Sequence, residues 1–212
     1  MKKTISYGST SAMQQVCLQI GKTIIQAVVN TQGVSVMAAF TAVNRVDDFA
    51  YIPQQNIGHA MTTFIAQNKG AGKKERIRRG FQSGIGIELV YGLILLVLMY
   101  FGAEKIMGLF TSQEDAQVVA LGRSYLHLVS WMYILPAITN GIQGFFRGMG
   151  DLKVTLYSTF MNMAGRVLAV IVMFLVFHLG FVSLAWANLI GWIVMLLFEI
   201  PLLMRQLKEL RK

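Results

Sequence analysis

Charge is what this sequence is shortest of: 14% of its 212 residues are charged, against 55% apolar, where a soluble domain carries about a quarter charged. So few ionic groups exclude an ordinary water-soluble surface and point to a chain that lives in lipid. Cysteine occurs once, at Cys17, which excludes an internal disulfide and leaves a small packing residue. The three histidines, His59, His127 and His178, stand on separate segments without ligand spacing, so neither a metal nor another cofactor is expected. Paired carboxylates, a histidine cluster and a nucleophile beside a base are all missing, and no catalytic residue or enzyme activity is expected.

What the chain has in plenty is long apolar runs, at about 10–29, 34–66, 81–101, 118–138, 154–177 and 182–203. Each is near or above the ~20 residues that cross the hydrocarbon as a helix. Strands of a membrane barrel are about half as long and alternate apolar with polar residues, which these runs do not. The prediction is an all-α, polytopic membrane protein of six transmembrane helices forming a single unit, 1–212.

The positive charges are sorted by position. Lys2 and Lys3, the cluster Lys69, Lys73, Lys74, Arg76, Arg78 and Arg79, the pair Arg147 and Lys153, and the tail Arg205, Lys208, Arg211 and Lys212 make 14 of 19 Lys and Arg. All fall on one side if six helices alternate in direction. The other side holds the turns near 30–33 and 178–181 and the link 102–123, with Lys105 and Arg123 alone. By the positive-inside rule both termini are expected in the cytoplasm, with anionic headgroups as partners of the basic loops. "QNKGAGKKERIRRG", at 67–80, resembles a phosphate-binding loop only superficially: Gln67 replaces the first glycine, and Lys74 the hydroxyl residue. A net charge of +9 sorted in this way reports membrane orientation rather than nucleic-acid binding.

Polar residues within the runs are costly in lipid and turn toward an interior or a watery cavity. Ser11, Gln15, Gln19, Lys22, Gln26 and Asn30 recur every three or four residues and share one helical face, as a cavity wall would. In "NRVDD", Arg45 and Asp48 are spaced to pair across a turn, which leaves Asp47 needing another partner: a coupling ion or a polar network. Thr155, Ser158, Asn162 and Arg166 form another stripe, and Arg166 has Glu88 as one carboxylate it would neutralise. Glu199 is placed at the water interface by its nearness to the basic tail. Around Pro136, Asn140 and Gln143 are cavity candidates, and Gly144 with Gly148 fits close helix approach. Trp131, Tyr133, Trp186 and Trp192 suit membrane anchoring, core packing or contact with an aromatic substrate.

Two stretches carry a resemblance: "AAFTAVNRVDDFAYIPQQNIGHAMTTFIAQNKGAGKKERIRRG" at 38–80 and "LPAITNGIQGFFRGMGDLKVTLYSTFMNMAGRV" at 135–167. Together they resemble the multidrug and toxic compound extrusion (MATE) family, chiefly through Gln67-Asn68 before Gly70-Ala71-Gly72 and through Arg147-Gly148 before Gly150-Asp151. The resemblance implies two six-helix lobes facing a central cavity that export organic cations or related amphiphiles in exchange for sodium ions or protons. It implies that this chain corresponds to the C-terminal lobe, in a bacterial cytoplasmic membrane, with a first lobe or a second copy as partner. Some members hold the coupling ion on acids in the first and fourth helices of this lobe. Here Gln15, Gln19 and Lys22 occupy the first helix and Pro136 stands near the fourth-helix position. The coupling carboxylate is therefore expected in the other lobe, with Asp47 as the local candidate. Two alternatives remain: a flippase for lipid-linked saccharides, which calls for a strongly cationic cavity, and a non-transporting scaffold or inactive fragment.

Overall fold

The computed structural model describes residues 2–110 and 116–211. Lys212 of the basic tail lies outside them, as do the side chains of Lys2, Lys3 and Arg211. Every regular element among the described residues is helical. Helix α1 is Lys2–Asn30, α2 Val34–Gly70 and α3 Lys74–Phe110. Helices α4, Ala116–Ser130, and α5, Ile134–Gly148, are joined by a tight 3-10 turn at Trp131–Tyr133. Helix α6, Leu152–Ile171, runs on into a π turn at Val172–Val176, and α7 is Ser183–Arg211. Gly33, Gly72 and Gly150 punctuate the short turns at φ of 97°, 68° and 75°, where a side chain would be strained.

The expected fourth span thus becomes two helices in line. Pro136 falls in the first turn of α5, where its missing N–H is an orphan donor anyway, and the preceding 3-10 turn accommodates its ring. The second half continues to Gly148, so Arg147, expected in a loop, is helical. Likewise the basic stretch 67–80 is mostly helix ends around a turn at 71–73.

With α4 and α5 taken together the described residues form six helical rods. Four are long and apolar enough to cross a membrane: Lys74–Phe110, Ala116–Gly148, Leu152–Phe174 and Ser183–Leu210. Helices α1 and α2 fall short of that apolarity, and the reason lies in the polar faces of both, the amide stripe of α1 and Asn44 through Asp48 of α2.

Helix α3 shows how the rods pack. Its inward positions, Phe81, Gly84, Glu88, Gly92, Leu95 and Met99, recur every three or four residues, while Ile87, Val90, Ile94, Val97 and Phe101 on the opposite side are exposed. An apolar outer face of that size belongs against acyl chains. Helices α2 and α5 approach closely: a Cβ on Gly144 would stand 2.6 Å from the Gly58 carbonyl oxygen, and one on Gly148 2.7 Å from Ile65 Cβ. Thr62 Oγ1 lies across this contact, donating to the Gly58 carbonyl at 2.9 Å or to that of Gly144 at 3.1 Å. The glycine spacing of the sequence therefore serves backbone approach, as expected.

The ends of the lobe sort as the charges do. Lys69 Nζ donates to the Met149 carbonyl, so the α2–α3 and α5–α6 turns are neighbours. Tyr7 of α1 reaches Gly150, and the tail residues Leu202, Leu203 and Leu207 pack on the cluster of Ile77, Phe81 and Phe145. At the opposite end Ser35 Oγ bonds Gln117 Oε1 at 3.2 Å, and the rings of Tyr125 and Phe181 meet at 5.6 Å. The basic segments thus share one end of the molecule.

Candidate functional site

The polar faces converge on a cavity of about 300 Å³ walled by α1, α2, α5, α6 and α7. Helix α1 supplies Gln15, Gln19 and Lys22 to it, and α5 supplies Asn140 and Gln143. Gln26 does not line it: one turn further along α1, it faces an adjoining recess of about 340 Å³ and donates to Asn30 Oδ1 at 2.7 Å. What fixes α1 against the rest is Gln14, which sequence reasoning passes over. It is the buried member of the Gln14-Gln15 doublet, and its Nε2 donates to Thr159 Oγ1 at 2.8 Å and to Gln143 Oε1 at 3.3 Å. The doublet itself is the available signal, since adjacent residues on a helix point about 100° apart, so one amide turns into the helix contact while the other stays open.

Asp47 finds the partner its position demands. It is 6% exposed, and the hydroxyl of Tyr133 donates to Oδ1 at 2.5 Å while Tyr125 reaches Oδ2 at 3.5 Å. Asn188 Nδ2 donates to the Tyr125 hydroxyl at 2.7 Å, extending the network from α2 through α4 to α7. Asp47 thus sits within a network of hydroxyl and amide donors. Asp48, however, does not pair with Arg45: it meets Lys22 Nζ at 3.6 Å, with both side chains more than half exposed. The helical twist carries Arg45 to an exposed position, whereas α1 brings the Lys22 ammonium group to the cavity that Asp48 also lines.

Arg166 also lines the cavity, sharing it with Asp47 and Asp48, and its Nε is buried without a hydrogen-bond partner. Its expected neutralisation of Glu88 does not occur. Glu88 is absent from the cavity lining and lies on the inward face of α3, fully buried, with both carboxyl oxygens unpartnered. Glu199 is likewise no interfacial residue. Helix α7 continues well past it to Arg211, and the carboxyl is buried beneath Ser158, Gln143 and Arg147. Arg147, assigned to a loop by sequence, lines the basic end of the cavity together with His59. Of the aromatics, Trp192 and Tyr51 edge the cavity with ring centroids 6.4 Å apart, Tyr133 is buried on Asp47, and Trp131 and Trp186 face outward.

No group of three or more metal-ligating side chains occurs among the described residues. The cavity offers amide donors and acceptors, a few charges and two aromatic edges. The MatE family model matches residues 11–168 of the chain, including most of the helices that build this wall. The chain belongs to the MatE family. Among its MatE relatives, the "Probable multidrug resistance protein YoeA" of Bacillus subtilis strain 168 is 24% identical over 145 residues, 68% of this chain and 31% of that protein. The "Probable multidrug resistance protein NorM" of Rhizobium meliloti strain 1021 is 28% identical over 174 residues, 78% of this chain and 36% of that one. In three dimensions the lobe is similar to a MOP superfamily transporter from Pyrococcus furiosus, with a TM-score of 0.90 and 16% identity over 97% of this chain and 45% of that chain. It is similar also to a multidrug resistance MATE transporter in an outward-facing conformation, with a TM-score of 0.87 and 17% identity over 93% of this chain and 43% of the other. The chain thus spans about a third of the curated relatives it matches and under half of the solved chains. It has the fold of one lobe of a MATE transporter and is a multi-pass membrane protein.

Proposed function

We propose that the chain is the C-terminal lobe of a secondary antiporter that exports organic cations or other drug-like amphiphiles in exchange for sodium ions or protons. Six helices cross the cytoplasmic membrane of a bacterium in this reading, with both termini and the basic turns inside. The observation that carries it is the convergence of Gln15, Gln19, Lys22, Asn140 and Gln143 on one open cavity, the wall that a partner lobe or second copy would close. Two lobes rocking about such a cavity give alternating access. The coupling ion drives the cycle only by binding the two states unequally. No covalent step is required of this chain.

The test is paired. The chain is co-expressed with a matching first lobe, and efflux of a fluorescent organic cation is followed in cells. The double variant Gln19→Leu, Lys22→Leu is expected to cut efflux to background at unchanged membrane abundance, and unaltered efflux would overturn the cavity assignment. One observation favours the second reading, a flippase for lipid-linked saccharides: Lys22, Arg147 and Arg166 all line the cavity. Asp48 beside Lys22, and Asp47 in the same lining, offset part of that charge.

A further inference from the structure

Glu199 differs from the molecule's other buried acids in where it stands. Its two carboxyl oxygens are buried without a hydrogen bond of good geometry, although the Ser158 hydroxyl and the Gln143 amide stand beside them, and an ionised carboxylate in that position is costly unless it is paired. Two of the groups around it also bond elsewhere: Ser158 Oγ donates to the Val154 carbonyl at 2.7 Å, and Arg147 Nε to the Gln143 carbonyl at 3.3 Å. Glu88 is just as bare, but it is absent from the cavity lining. Gln143 and Arg147, which act on Glu199, are also cavity-lining side chains, so the same two residues reach both the carboxyl and the cavity.

We infer that Glu199 is a proton-binding residue of the transport cycle, loaded and emptied through the Gln143–Arg147 layer of the cavity wall. This rests on the antiporter reading and gives this lobe a coupling carboxylate of its own. The ligand is a proton rather than sodium for two reasons. A hard cation takes about six oxygen ligands, whereas of the two side-chain oxygens that act on Glu199, those of Ser158 and Gln143, the second already accepts from Gln14 Nε2. The charged group acting on the site is the Arg147 guanidinium of α5, which repels a second cation, while α6 contributes the neutral Ser158. In the neutral acid the proton sits on one carboxyl oxygen. When it leaves to cavity water the carboxylate gains a charge that draws Arg147 inward, out of the cavity. Proton occupancy of Glu199 and the position of the Arg147 cation at the basic end of the cavity are thereby linked, which gives the proton the unequal affinity for two states that coupling demands.

Two measurements test this. The chain alone, reconstituted in lipid nanodiscs, is titrated while the infrared band of protonated carboxyl groups is followed. Glu199→Gln is expected to remove a titrating component, and Arg147→Gln to shift that component toward alkaline pH. A spectrum unchanged in Glu199→Gln overturns the assignment. In proteoliposomes holding both lobes, Glu199→Gln is expected to abolish substrate-driven proton flux while substrate still equilibrates down its own gradient; full proton flux in that variant overturns it equally. If wild-type lobes move no substrate at all, the antiporter reading falls, and the infrared titration still decides whether Glu199 exchanges a proton. Should Glu199→Gln fail to fold, Glu199→Asp keeps the carboxyl and must displace the same titrating component.

Discussion

At the scale of single residues, the lobe's acids divide by what surrounds them. Asp47 is held by the Tyr133 and Tyr125 hydroxyls, so Tyr133→Phe, which keeps the ring and deletes the donor at 2.5 Å, is expected to destabilise the lobe. The loss is about 1–3 kcal/mol, the cost of leaving a buried acceptor short of its partner. Thermal unfolding of the purified chain in detergent reads it, and a midpoint unchanged from wild type would show that the bond contributes nothing. Glu88 is the reverse case: its oxygens have no partner to lose. Glu88→Met, of similar length and apolar, is expected to raise stability by about 1–3 kcal/mol by removing an unpaid desolvation. A lowered midpoint in the same assay would mean that Glu88 has a partner after all.

At the scale of helices, stability and legibility both follow from which residues a helix turns toward its neighbours. The α2–α5 contact depends on the absence of side chains at Gly58 and Gly144, so Gly144→Leu must force the helices apart. Overpacking of this kind costs about 1–3 kcal/mol or more. Gly86→Ala, with no atom within 4 Å of the new Cβ, gains helix propensity worth up to about 1 kcal/mol. Equal effects of the two variants on unfolding would refute the close-approach account. The periodicity of α1 placed Gln15, Gln19 and Lys22 on one face, and the glycine spacing of α5 announced its contact, because both signals lie within a single helix. Partners on different helices left no such mark. Nothing local to Asp47 points to Tyr133, and the spacing of Arg45 and Asp48 gave no sign that Lys22, from another helix, would take the pair. Glu199 was misplaced for a different reason: nearness to a basic tail suggested water, but α7 continues past it and the leucines of that extension pack on Ile77 and Phe81.

At the scale of the whole molecule, two surfaces face opposite surroundings. One is the apolar exterior of α3, α6 and α7, with Val97, Phe101, Phe160 and Leu197 exposed, and the other is the amide-rich wall of α1, α2 and α5. In the proposed transporter the first meets lipid and the second meets water in the cavity. The direct measurement is reactivity toward a water-soluble, membrane-impermeant thiol reagent, in membranes holding both lobes, of single cysteines introduced into a Cys17→Ser background. Cysteines at 15, 19 and 140 are expected to react and to be protected by substrate, while cysteines at 97, 160 and 197 stay unlabelled. Labelling of the second set with silence from the first would contradict the arrangement on which every functional statement about this lobe depends.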